Sequence, residues 1–160
     1  MKIKLKKRRN GAQLVCERSD GSVELADVGP SLPNHDLAHF VAERCLEMKD
    51  GFYGNVEQGY SLSQLGNKDV IRTLGAESWQ AEVVARAVGS LATGACTADQ
   101  FAELINTELR QLRLPLLDGL NATLADAMLA EFRQLAGSYE ALNVGESLEL
   151  ELGAQHFRRD

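Results

Sequence analysis

The stretch Lys2-Ile3-Lys4-Leu5-Lys6-Lys7-Arg8-Arg9-Asn10-Gly11 decides the fold. Its first half alternates charged and apolar residues. At a period of two this puts Ile3 and Leu5 on one face and the lysines on the other, the pattern of a half-buried strand. Asn10-Gly11 is a hairpin turn signal, because both residue types tolerate positive φ. Ala12 to Glu17 then returns as a second strand. Ser19-Asp20-Gly21-Ser22 makes another turn into a third strand, whose Val23 and Leu25 are expected to face the core. Ser147-Leu148-Glu149-Leu150-Glu151-Leu152 alternates strictly and reads as a strand as well. Its outward Glu149 and Glu151 are opposite in sign to Lys2, Lys4 and Lys6. Cross-strand pairs of unlike charge contribute about 0.2–1 kcal/mol each. The last strand is therefore expected to rejoin the N-terminal meander.

Between these strands the apolar period changes from two to that of a helix. Asn34 is a favoured N-cap, Asp36 suits a first helical turn, and Leu37, Phe40, Val41, Arg44, Cys45 and Met48 fall on one side as the stripe expected to face the core. Gly51 is expected to end that helix. Gly51-Phe52-Tyr53-Gly54 and Gln58-Gly59-Tyr60-Ser61 then read as a glycine-aromatic loop, a candidate pocket wall. Ser61 with Gln64 and Thr97 with Gln100 have the spacing of capping boxes. Asn67 could cap a short helix. Trp79, Val83, Ala87 and Leu91 mark a longer one ending at Gly94. Phe101, Leu104, Ile105 and Leu112 are expected inward on the next, and Thr123 with Asp126 opens the last, with Leu124, Met128, Phe132 and Leu135 inward before Gly137. The expected architecture is one α+β domain over residues 1–160: an antiparallel meander joined by a C-terminal strand, packed on about four or five helices. Phe40, Val41, Val83, Leu104, Ile105, Met128, Phe132 and Leu150 are its expected core. Residues 155–160 read as a polar tail.

Composition narrows the function classes. The 160 residues are 44% hydrophobic and 25% charged, with a net charge of −6. That balance speaks against general nucleic-acid binding, which usually needs a basic surplus. No apolar run approaches the ~18 residues of a membrane span. The charged N-terminal residues lack the apolar centre of a signal peptide. Cys16, Cys45 and Cys96 are odd in number and widely spaced, the expectation for unpaired thiols in a reducing cytoplasm.

The chemistry-bearing cluster is His35-Asp36-Leu37-Ala38-His39, followed by Glu43. Imidazoles at i and i+4 lie ~6 Å apart on one helix face, a spacing that suits two ligands to one zinc-like divalent metal. Glu43 lies ~12 Å along the axis from His35 and fits better as a carboxylate orienting His39 than as a third ligand. Asp36, Glu57, Asp69 and His156 are the candidates for that third ligand. Asp36 and Glu43 are the candidate acid/base groups.

The spacing is similar to the His-Glu-x-x-His motif of zinc metalloproteases, with Asp36 in the place of the Glu and no downstream ligand motif. It also resembles the His-Asp-x-x-His segment of a family of ubiquinone-biosynthesis proteins. That pattern continues to a Glu twelve residues beyond the second His, where this chain has Gly51. Each similarity covers about five residues and implies nothing for the rest of the chain. The expectation is a metal-assisted hydrolase or lyase centred on His35 and His39, with Asp36 or Glu57 completing the set. The same residues fit a plainer role, with His35 bonded to nearby backbone and His39 paired with Glu43. The protein would then be a non-catalytic α+β module that binds a protein partner or its own copy through a sheet edge or helix face.

Overall fold

A computed structural model describes residues 1–153 and 156, apart from the side chain of Leu32. Strands β1 (Lys2–Lys7), β2 (Ala12–Glu17), β3 (Val23–Val28) and β4 (Ser147–Glu151) form an antiparallel sheet in the order β3-β2-β1-β4. The expected α+β class, meander and returning strand are all present. Lys4 lies opposite Glu149 in the register, and their side chains pair at 2.9 Å. The ladder continues past β1, where the Met1 ammonium donates to the Leu152 carbonyl and Leu152 N–H donates back to Met1. The tail expected over residues 155–160 lies, apart from His156, outside the described residues.

The hairpin is wider than Asn10-Gly11 alone predicts. Lys7 and Ala12 are the last pair, so Arg8 to Gly11 form the connection, with Gly11 in the left-handed region. A larger correction concerns β3. Val23 and Leu25 are 52% and 62% exposed, and Glu24, Ala26 and Val28 take the inner face. Both phases of this strand carry apolar residues, so periodicity alone cannot choose between them. The choice goes with Arg18, which pairs with Glu24 at 3.2 Å and donates to the carbonyls of Val56 and Tyr60. That network satisfies the inward carboxylate.

Ile3, Leu5, Ala12, Leu14 and Cys16 make the buried face of the sheet. Against it lies α1 (Leu32–Cys45), followed by the short helices α2 (Phe52–Glu57), α3 (Leu62–Leu65) and α4 (Lys68–Ile71). The long helices α5 (Ala76–Thr93), α6 (Ala98–Gln111) and α7 (Ala122–Glu140) complete the fold. Among the described residues no helix is long and apolar enough to cross a membrane.

Helix α1 starts earlier than Asn34. Ser31 is its N-cap and Pro33 occupies the first turn, where a missing N–H costs nothing. Asp36 therefore falls beyond the first turn, and every residue from 36 to 43 is buried. A helix covered on all sides is an interior element. Gly51 does not end α1. The chain leaves through Leu46 and through Glu47, whose φ is 53°, and Gly51 is instead the N-cap of α2. The glycine-aromatic stretch is thus a helix start.

The two capping boxes form as expected, and Asn67 caps α4. Helix α7 is capped by Asn121 rather than Thr123 and runs through Gly137. Of the expected core, Phe40, Val41, Val83, Ile105, Met128 and Phe132 are buried, while Leu150 is half-buried. Leu104 is 43% exposed, because the inward stripe of α6 is Phe101, Ile105 and Leu109. Leu104 lies about 100° from the middle of that stripe. Leu112 sits past the end of α6 and is exposed too.

Candidate metal centre

Helix α1 presents His35 and His39 one turn apart, their rings nearly perpendicular with centroids 4.7 Å apart. Helix α5 packs against this face and brings Glu82 to both. Glu82 Oε2 lies 2.9 Å from His39 Nε2 and 3.3 Å from His35 Nε2. One ligand atom from each of the three residues can be chosen so that all lie within 4.8 Å of one another. Two imidazoles and a carboxylate converging on one point are a donor set for a divalent transition metal.

Behind His39 stands Glu43, fully buried, with Oε1 3.6 Å from His39 Nδ1. This separation is too long for a hydrogen bond and short enough for a charge contact. The Glu43 carboxylate accepts from the N–H groups of Tyr53 and Gly54, in the first turn of α2. Gly51 makes room for it: a Cβ there would come within 2.3 Å of the Glu43 side chain. The Gly51-Phe52-Tyr53-Gly54 stretch thus clamps a buried carboxylate against His39. Phe52 covers the imidazole from another side, centroid to centroid 5.4 Å.

Burial alone would push the His39 imidazole down. Glu43 and Glu82 on its two sides more than offset this and raise it to about 9. Burial likewise pushes Glu82 up, but its hydrogen bonds to His35 and His39 outweigh that and hold it well below the usual carboxylate range. Without a metal, His39 lies between the side chains of Glu43 and Glu82, which favour its charged, protonated form. Metal binding would displace that proton, so affinity should rise with pH.

The remaining candidates lie elsewhere. The Glu57 carboxylate accepts from Ser19 N–H, at the other end of α2 from the clamp. Asp69 is exposed and pairs with Arg72, and the His156 ring bonds the Met48 carbonyl. None of these three joins His35 and His39. Asp36 is buried between α1 and the sheet, where its charge is felt at Cys16, Tyr53 and Tyr139. Its Oδ2 has no hydrogen-bond partner among the described residues. Glu82, the carboxylate that does converge, was not among the sequence candidates. Its signal was a lone acid inside the run Ala81-Glu82-Val83-Val84, masked by Arg86 one turn on, which makes it resemble a solvated ion pair.

Burial, partly offset by His39 and His35, raises the Asp36 carboxyl from 3.8 to about 6. Between these values the native state holds the extra proton, so this group lowers stability as pH rises through that window. Asp36→Asn in chelated protein is therefore expected to stabilise by up to about 3 kcal/mol at pH 8. The gain should fade as pH falls toward 4. Urea unfolding at both pH values checks this, and an equal effect at both would refute it.

His39 and Glu82 open on a cavity of about 480 Å³ whose walls include Phe52, Leu65, Ile71 and Trp79, while His35 borders another with Asn34, Arg86 and Phe132. No protein-family model, curated protein or solved structure matches this chain.

Proposed function

We propose that His35, His39 and Glu82 hold a zinc-like divalent ion and that the protein is a metal-assisted hydrolase or lyase. The convergence of the three ligand atoms from two helices carries this reading. Three protein ligands leave a coordination position for water or substrate, and such an ion lowers the pKa of bound water toward neutrality. In this reading Glu43 is a positioning residue. It faces His39 Nδ1 at 3.6 Å while Nε2 faces the ligand point, so its charge supports the ligating ring from behind without a hydrogen bond.

Equilibrium dialysis of untagged protein against zinc tests the reading. One ion per chain is expected for the wild type and for Glu57→Gln, and none for His39→Ala or Glu82→Gln. Zinc at ~1,000 times its Kd should also stabilise the wild type by about 4 kcal/mol over the chelated form. Wild-type protein that takes up no zinc, or a His39→Ala variant that keeps it, would overturn the proposal.

A further inference from the structure

The cavity beside the cluster has a composition that selects its occupant. Phe52, Leu65, Ile71, Leu74 and Trp79 give it apolar walls. Its volume of about 480 Å³ falls in the ~300–1,000 Å³ range of small-molecule sites. Its polar groups are His39 and Glu82, the Asn55–Ser78 pair, in which the amide donates to the hydroxyl at 2.8 Å, and Lys68 and Arg72. Glu82 is already shared between two histidines. At the outer edge stand Lys68 and Arg72, both exposed and both contributed by the α4 segment. Asp69 pairs with Arg72 at 3.1 Å and leaves this edge with a surplus of one positive charge. On a protein with a net charge of −6, a cationic edge over an apolar cavity favours an anionic group there over a cationic one.

We infer that this cavity binds an organic monoanion with an apolar body, the body against Ile71, Leu74 and Trp79 and the anionic group at Lys68 and Arg72. The inference rests on His35, His39 and Glu82 as the reacting centre, since it makes such an anion the substrate class of that centre. Burying the apolar body supplies most of the affinity, at about 25 cal/mol for each Å² removed from water. The rim charges supply the preference for an anion.

Trp79 is the only tryptophan in the chain and lines the cavity, so its emission reports occupancy. Octanoate, 1-octanol and acetate are titrated against chelated protein. Octanoate should change the emission saturably, and acetate over the same range should not. The double variant Lys68→Glu/Arg72→Glu should weaken octanoate about tenfold while shifting 1-octanol by less than about twofold. Both positions are exposed, and retained 1-octanol binding shows that the variant is folded. Absence of saturable octanoate binding, or an octanoate affinity indifferent to the charge reversal, overturns the inference. Because chelated protein is used, the two readings fail separately. Charge-dependent octanoate binding by a chain that takes up no zinc refutes the metal centre alone. Zinc uptake without octanoate binding refutes the substrate class alone.

Discussion

Replacing Glu43 with alanine is expected to cost about 3–5 kcal/mol, a large part of the stability of an ordinary domain. Three losses combine. The N–H groups of Tyr53 and Gly54 lose their acceptor at the start of α2. The buried His39 ring, which carries a proton in the metal-free protein, loses one of its two carboxylates. A buried side chain's volume is left as a cavity. Glu43→Gln keeps the volume and an acceptor oxygen, so it should cost less than the alanine variant. Metal affinity should fall by up to ~10-fold in both, the low end of the loss seen when a hydrogen-bonded outer partner of a ligating histidine is removed. Urea unfolding of the chelated proteins measures the first effect. A loss below about 1 kcal/mol for Glu43→Ala would mean that the clamp is not holding the site together.

Gly54→Ala is expected to be nearly as damaging, although it adds one methyl group. A Cβ at this position would lie 2.0 Å from the Lys49 carbonyl oxygen and 2.6 Å from its carbon. These are backbone atoms, so no side-chain rotation relieves the clash and α2 must shift away. That shift pulls the Tyr53 and Gly54 N–H groups off Glu43. The expected cost is about 3 kcal/mol, the upper end of over-packing effects. Gly137 supplies the contrast. It lies inside α7 with nothing within 4 Å of an added Cβ. Gly137→Ala should therefore stabilise by about 0.5–1 kcal/mol through helix propensity. Chemical denaturation of the two variants side by side checks both, and similar effects would contradict the packing argument.

The parts of this fold legible in the sequence are those set by short-range chemistry. Strand alternation and the lysine–glutamate complementarity were enough to place β4 beside β1, and the Ser61 and Thr97 capping boxes marked their helix starts. What escaped depended on distant partners. Val23 and Leu25 face out because the opposite phase of β3 is held in by Arg18 from a neighbouring turn. Leu104 is exposed because α6 touches its neighbours along a narrower stripe than its leucines suggest. The site divides the same way. The i, i+4 spacing put His35 and His39 on one face, and it put Glu43 one turn beyond His39. Glu82 was hidden because nothing local says that α5 lies against that face of α1. Glu57 and Asp69 are as suitable by residue type, and it is their partners, Ser19 and Arg72, that hold them elsewhere.

The most direct measurement is X-ray absorption at the zinc edge on protein loaded with one equivalent of zinc, together with the Glu82→Gln variant. The proposed centre predicts a first shell of two imidazole nitrogens at ~2.0–2.1 Å with carboxylate and solvent oxygens at ~2.0–2.2 Å. The two-imidazole signature should be lost in the variant, which is expected to take up no ion. A shell containing sulfur, fewer than two imidazoles, or a spectrum unchanged by Glu82→Gln would contradict a centre built from His35, His39 and Glu82.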